Sequence, residues 1–257
     1  MNKKYTFNIN VKKNKEEYTE NEIDIINNIF GMFVKNIYFS FNCKVIVENE
    51  KIINFSGISG SGKTIIKNEI KYALEQENDE NYNILDFDDL ENFEKYYDNT
   101  ILELFDITNK NDEILKLISG FGLFEMRLLT MKIKNLSNGQ KTRLKYILLM
   151  KQINESKKNF IFIDEFLTFV DDLSAISFAR SMEVFLKTKK NVKMFCFGVN
   201  MNLIGQFEDV TYVLGNSSIT AIVEKNVVKY LVDQEQTEIC FYRNMEEKEV
   251  ILDEDEW

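Results

Sequence analysis

The sequence predicts an α/β fold with a mixed central sheet, and three observations carry that prediction. The short apolar run Ile52-Ile53-Asn54-Phe55 ends at a glycine-rich turn, after which Ile65, Ile66, Ile70, Ala73 and Leu74 recur at helical spacing. Strand, loop and helix therefore follow one another. Phe160-Ile161-Phe162-Ile163 is a continuous apolar run, as expected of a strand buried on both faces. The C-terminal part reads as a succession of strands: Val210 to Leu214, Ile219 to Val223, Val227 to Val232 and Glu238 to Tyr242.

The remaining elements fill in around these. Residues 1–50 are polar and mixed, with Tyr38-Phe39-Ser40-Phe41 and Val45-Ile46-Val47 patterned as antiparallel strands. Asn83 to Phe87 is a second short strand before a mainly helical stretch, residues 88 to about 135, which includes Ile114 to Ile118. A helix starts near Ser137 with Leu144, Ile147 and Leu148 inward. Another carries Ile176, Ala179, Met182 and Phe185 and precedes the strand Met194 to Phe197. No repeat or low-complexity linker interrupts the chain. Residues 1–257 are read as one domain, with a small helical subdomain at about 88–150. C-terminal strands and an acidic, solvated tail (Met245 to Trp257) occupy about 210–257.

Composition excludes several chemistries. The chain has no histidine, so a Ser-His-Asp triad, a His-ligated metal and an imidazole acid/base are all ruled out. Cys43, Cys196 and Cys240 are too far apart for a CxxC zinc or redox site and read as thiols in a reducing compartment. A net charge of −10 argues against a broad basic face that coats nucleic acid, though not against a local basic groove. The start, Met1 to Tyr5, lacks the apolar core of a signal peptide, and no apolar run approaches the roughly 20 residues of a membrane span. The expected location is cytoplasmic, without direct membrane insertion.

Gly57-Ile58-Ser59-Gly60-Ser61-Gly62-Lys63-Thr64 is a complete GxxxxGKT loop. Its glycines let the backbone wrap phosphate oxygens with N–H groups inward, and the following helix adds the positive end of its dipole. Lys63 is placed to reach the β- and γ-phosphates of ATP, and Thr64 to offer its hydroxyl to Mg²⁺. The buried run at Phe160 delivers Asp164 and Glu165 to the mouth of that loop. Asp164 is the expected Mg²⁺ partner, and Glu165 the group that orients or deprotonates water. By itself, a buried strand ending in two solvated acids would be unremarkable; next to a phosphate loop it is the expected companion.

The third motif, Leu136-Ser137-Asn138-Gly139-Gln140, sits at the start of a helix. It resembles the LSGGQ signature of ABC ATPases, with Asn138 in place of a small residue. The resemblance covers roughly residues 30–215. It implies that two copies pack head to tail on binding ATP, Ser137, Gly139 and Gln140 of one closing over the nucleotide held by the other. Asp171 then stands where the D-loop aspartate couples the sites. Taken alone, Ser137 is also a good helix N-cap.

Departures from the family are as specific. The usual histidine after the next strand is missing, and Asn200 is the best polar substitute; it donates a hydrogen bond but carries no titrating proton, so slow hydrolysis is expected. The Q-loop glutamine is also absent, with Asp86 or Asp88 near its place, and Asp86 is a candidate metal ligand. Phe166 stands where proline is customary. Phe33 or Tyr38 could stack on adenine, though an aromatic there is more often core. Within the superfamily, Ile29-Phe30-Gly31, the Asp86 strand end, Gly120 to Leu123 and Asp164-Glu165-Phe166 are most similar to soluble phage and prokaryotic ABC-type ATPases, some fused to acetyltransferase domains. The implied activity is a soluble ATPase acting on an unidentified protein or nucleic-acid partner. The alternative is the nucleotide-binding subunit of a transporter. A DNA-maintenance ATPase is disfavoured because Ser137 follows Thr64 without a long coiled coil between them.

Overall fold

The computed structural model describes residues 4–14, 28–29, 38–105, 112–168, 172–199, 209–215, 218–224, 227–232 and 235–239. Two sheets organise them. An antiparallel pair, β1 (Tyr5–Asn14) and β2 (Tyr38–Val47), stands apart from an eight-stranded sheet. The larger sheet comprises β3 (Ile52–Gly57), β4 (Tyr82–Asp86), β5 (Lys158–Ile163), β6 (Val192–Gly198) and β7 (Val210–Gly215). It is completed by β8 (Ser218–Glu224), β9 (Val227–Val232) and β10 (Glu235–Ile239). Its order is β10-β9-β8-β7-β3-β6-β5-β4. The strands from β7 to β4 run parallel, and β7 through β10 are joined antiparallel.

Alternation along the buried strands explains why a continuous apolar run was needed. Phe160 and Phe162 of β5, Phe195 and Phe197 of β6, and Ile53 and Phe55 of β3 face one core. Their neighbours Ile161, Ile163, Met194, Cys196 and Ile52 face the other. The first core is roofed by β1, β2 and helix α1 (Lys63–Gln76), through Tyr5, Phe7, Ile9, Val45, Val47, Ile66, Ile70 and Leu74. Phenylalanines stack between adjacent strands here: Phe55 on Phe197 at 4.8 Å and Phe162 on Phe195 at 5.0 Å between ring centroids. Tyr212 pins the small sheet to the large one: its hydroxyl donates to the Ile46 carbonyl at 2.8 Å and accepts the Ile46 N–H at 3.3 Å.

The opposite face is covered by helices. After a 3₁₀ helix (Asp88–Tyr96) come α2 (Ile101–Phe105), α3 (Asp112–Gly120), α4 (Met126–Thr130), α5 (Asn138–Lys151) and α6 (Asp172–Thr188). The expected helical stretch is thus a set of short pieces. One break is visible at Gly122, whose φ of 67° lies in the left-handed region, while the Leu123 N–H returns to the Ile118 carbonyl at 2.9 Å. The two patterned pieces at 38–47 are one strand, whose antiparallel partner is Tyr5–Asn14, a stretch to which the sequence pattern assigns no strand. The last strand lies at Glu235–Ile239, earlier than Glu238 to Tyr242; residues 240–242 and the acidic tail lie outside the described residues.

This topology positions the site. Because β3, β5 and β6 are parallel neighbours, the loops after them leave the same edge of the sheet. The register sets Ser56 beside Gly198 and Ile163 beside Cys196, so Gly57, Asp164 and Val199 emerge together.

Candidate nucleotide site

The glycine-rich loop closes tightly at its start and opens at its tip. A Cβ on Gly57 would fall 2.7 Å from the Leu214 carbonyl oxygen and 2.8 Å from Ser61 Oγ, so the position tolerates no side chain. Gly60 and Gly62 have φ of 79° and 100°, in the left-handed region that glycine adopts without strain. Gly62 is the N-cap of α1 and supplies no side-chain acceptor. The first N–H groups of α1 have no preceding turn of helix to bond, and Ser59, Gly60, Gly62, Lys63, Thr64 and Ile65 line a pocket of about 330 Å³. Lys63 lies across the loop, donating to the carbonyls of Gly57 (2.8 Å) and Ile58 (2.9 Å). Burial pulls its ammonium below the ordinary range, against the opposing pull of Asp164 and Glu165.

The acidic turn after β5 completes the pocket with Asp164, Glu165, Thr168, Gly198 and Val199. Asp164 Oδ2 accepts the Thr64 hydroxyl at 3.0 Å, and Asp164 Oδ1 accepts the Glu165 N–H at 2.9 Å. Glu165 and Leu167 have φ of 49° and 56°, unusual for side-chain-bearing residues. The turn is held in that shape from outside: the Phe166 N–H donates to the Phe197 carbonyl at 2.8 Å, and the Leu167 N–H to the Tyr146 hydroxyl at 3.4 Å. A proline at 166 would lose the first of these bonds. The result leaves Glu165 exposed at the pocket while Phe166 is fully buried.

Asp86 is placed differently from its expected metal role. It is buried, and both oxygens are occupied by protein donors. Oδ2 receives Lys71 at 2.8 Å; Oδ1 accepts the Asp88 N–H at 3.1 Å and lies 3.5 Å from Lys67. It does not line the pocket. Lys67 and Lys71 lie one and two turns beyond Lys63 along α1, and they draw the β4 carboxylate to themselves. Lys67 also pairs with Asp88 and lies 4.0 Å from Asp164 Oδ2. Burial lowers the Lys67 ammonium, but the hydrogen bond to Asp88 and the charges of Asp86, Asp88 and Asp164 outweigh it and leave the group above its ordinary range. Sequence reading missed both lysines. The available signal was their spacing: i+3 and i+7 from Thr64 put them on the helix face of the hydroxyl.

Ser137 and Gln140 form a capping box at the start of α5. The Gln140 N–H donates to Ser137 Oγ at 3.3 Å, and the Ser137 N–H donates to Gln140 Oε1 at 2.9 Å. Gly139 follows in the first turn. None of the three lines the pocket beside Lys63. Asp171, Asn200 and Phe33 lie outside the described residues, as does the side chain of Tyr38. Among the described residues no cluster of His, Cys, Asp and Glu is set up to hold a metal by itself, and no helix is long and apolar enough to cross a membrane.

No protein-family model and no curated protein matches the chain. Solved structures do. A bacterial ABC transporter cassette, determined as a dimer, superposes with a TM-score of 0.54 at 13% identity over 86% of this chain and 99% of its own. A protein described as a cobalt transport ATP-binding protein gives 0.51 at 16% identity, over 86% and 80%. The fold is that of the ABC ATPase cassettes, an α/β P-loop architecture on a mixed sheet.

Proposed function

We propose that the chain is a soluble ABC-type ATPase that binds Mg·ATP at Gly57 to Thr64, dimerises head to tail on doing so, and hydrolyses slowly to act on a protein or nucleic-acid partner. The observation that carries this reading is the direct bond from the Thr64 hydroxyl to Asp164 at the floor of a pocket that also holds Lys63 and Glu165. The residues present fit the nucleotide. Ser61 Oγ is buried with no partner, Gly60 and Gly62 hold the loop in the left-handed region, and Lys63 lies across it. Thr64 and Asp164 would hold Mg²⁺, which supplies charge neutralisation at the phosphates.

In this reading Lys63 leaves the loop carbonyls to meet phosphate oxygens, and Glu165, exposed at the pocket, accepts the proton of the attacking water. Ser137, Gly139 and Gln140 serve the second copy's nucleotide, Asp171 couples the two sites, and Asn200 donates to the γ-phosphate where a histidine would otherwise act. The motif resemblance to soluble phage and prokaryotic ABC-type ATPases belongs to the same reading. One observation favours the transporter-subunit reading instead: the matching solved structures are described as transporter proteins. Calorimetry of Mg·ATP against wild type and Lys63→Ala tests the nucleotide site. Binding by the wild type and loss of about a hundredfold in the variant is the expected result; equal affinity in both overturns the assignment. Basal turnover that waits on an added membrane subunit would select the transporter reading.

A further inference from the structure

The buried cation behind the pocket has a consequence for the metal. Lys67 is 5% exposed, and its ammonium is shared by three carboxylates from two neighbouring strand ends: Asp86 at the end of β4 with Asp88 just beyond it, and Asp164 after β5. The oxygen of Asp164 nearest to it, Oδ2, is the one that accepts the Thr64 hydroxyl. A divalent cation held by Thr64 and Asp164 must therefore compete with a positive charge already beside that carboxylate. Asp88 decides how strongly. Its side chain is 56% exposed and it makes the closest contact to Lys67, so it draws the ammonium away from Asp164. Asp86 does so less, since Lys71 also claims it. Asp88 opens the 3₁₀ helix Asp88–Tyr96, so the same ion pair ties that surface segment to the pocket floor.

We infer that Lys67 is a positioning residue that sets the divalent-cation affinity of the nucleotide site, with Asp88 as the group that tunes it. This rests on the nucleotide reading above. The two residues act in opposite directions. Lys67→Gln removes the competing charge at Asp164, and Asp88→Asn releases Lys67 toward Asp164. Opposite charges within about 4–6 Å change ionic equilibria by one to three powers of ten, so at least about a tenfold effect is expected each way.

The test is fluorescence titration of a labelled ATP analogue against full-length protein, with Mg²⁺ and with EDTA, taking the ratio of the two affinities. Lys67→Gln should raise that ratio at least about tenfold and Asp88→Asn should lower it, while Lys67→Arg keeps it near wild type. The double variant should match Lys67→Gln alone, because Asp88 acts only through Lys67. A packing role for Lys67 would change both affinities together and leave the ratio where it was. If Lys67→Gln does not fold, exposed Asp88→Asn still decides: an unchanged ratio overturns the inference and leaves the nucleotide reading standing. No binding by the wild type in either buffer overturns both.

Discussion

The glycine-rich loop and the turn before α5 are both helix starts, yet the chain finishes one and leaves the other open. At Gly57 to Thr64 the second half of the site is supplied from within, by Asp164 and Glu165 across the sheet edge. At Ser137 the helix is satisfied by its own capping box, and Ser137 and Gln140 are spent on each other's N–H groups. A finished cap on a surface needs nothing further for stability. The difference teaches that the glycine loop and Asp164 form one pocket within a single chain, whereas Ser137 and Gln140 are committed to each other and would have to separate to meet any further group.

Substitutions separate the two regions, and the largest effect belongs to the glycine-loop pocket. If Glu165 accepts the water's proton as proposed, Glu165→Gln should lower turnover by about 10²- to 10⁴-fold while leaving the binding groups intact, and ATP should trap a dimer visible by light scattering. A variant that hydrolyses at the wild-type rate rules out that role. If Asn200 meets the γ-phosphate as proposed, Asn200→Ala should lower turnover by up to about a hundredfold with nucleotide affinity kept, because such a contact strengthens as charge develops on the transferring phosphate. Unchanged turnover would mean that the γ-phosphate has another partner.

Smaller effects concern folding. Gly57→Ala forces a methyl to within 2.7 Å of the Leu214 carbonyl, an overpacking expected to lower stability by about 1–3 kcal/mol in urea titration. Ser137→Ala removes the N-cap acceptor and should lower it by about 1 kcal/mol. A loss below a few tenths would show that the capping box contributes nothing, and that Ser137 is present for another purpose.

How much of this was legible in the sequence depends on range. Local signals served well: the run at Phe160 forms β5, the expected strands near Asn83 and Met194 form β4 and β6, and the helix near Ser137 begins there with the cap its spacing allows. The approach of Thr64 to Asp164 followed from motif order and is observed at 3.0 Å. Asp86 went the other way. Its place at a strand end suggested a metal ligand, but two lysines on the neighbouring helix claim its oxygens, and ion pairing across elements has no one-dimensional signature. The strand Tyr5–Asn14 is less legible, because the apolar alternation of Tyr5, Phe7 and Ile9 gives way in sequence to the polar run Lys12-Lys13-Asn14. The strain at Glu165 and Leu167 was equally invisible, since it is imposed by Phe197 and Tyr146 from distant positions.

The composite site is the central claim, and mixing two inactive variants tests it most directly. In the proposed composite site, Ser137→Arg spoils the turn that would close over a neighbour's nucleotide, and Lys63→Ala spoils the chain's own glycine-rich loop. Homodimers of either contain no intact site. A head-to-tail heterodimer contains one site with both lesions and one with neither, so ATPase activity should return on mixing and rise with total protein concentration. Continued inactivity in mixtures where heterodimers demonstrably form, or a wild type that is monomeric and fully active at high dilution, would contradict the account.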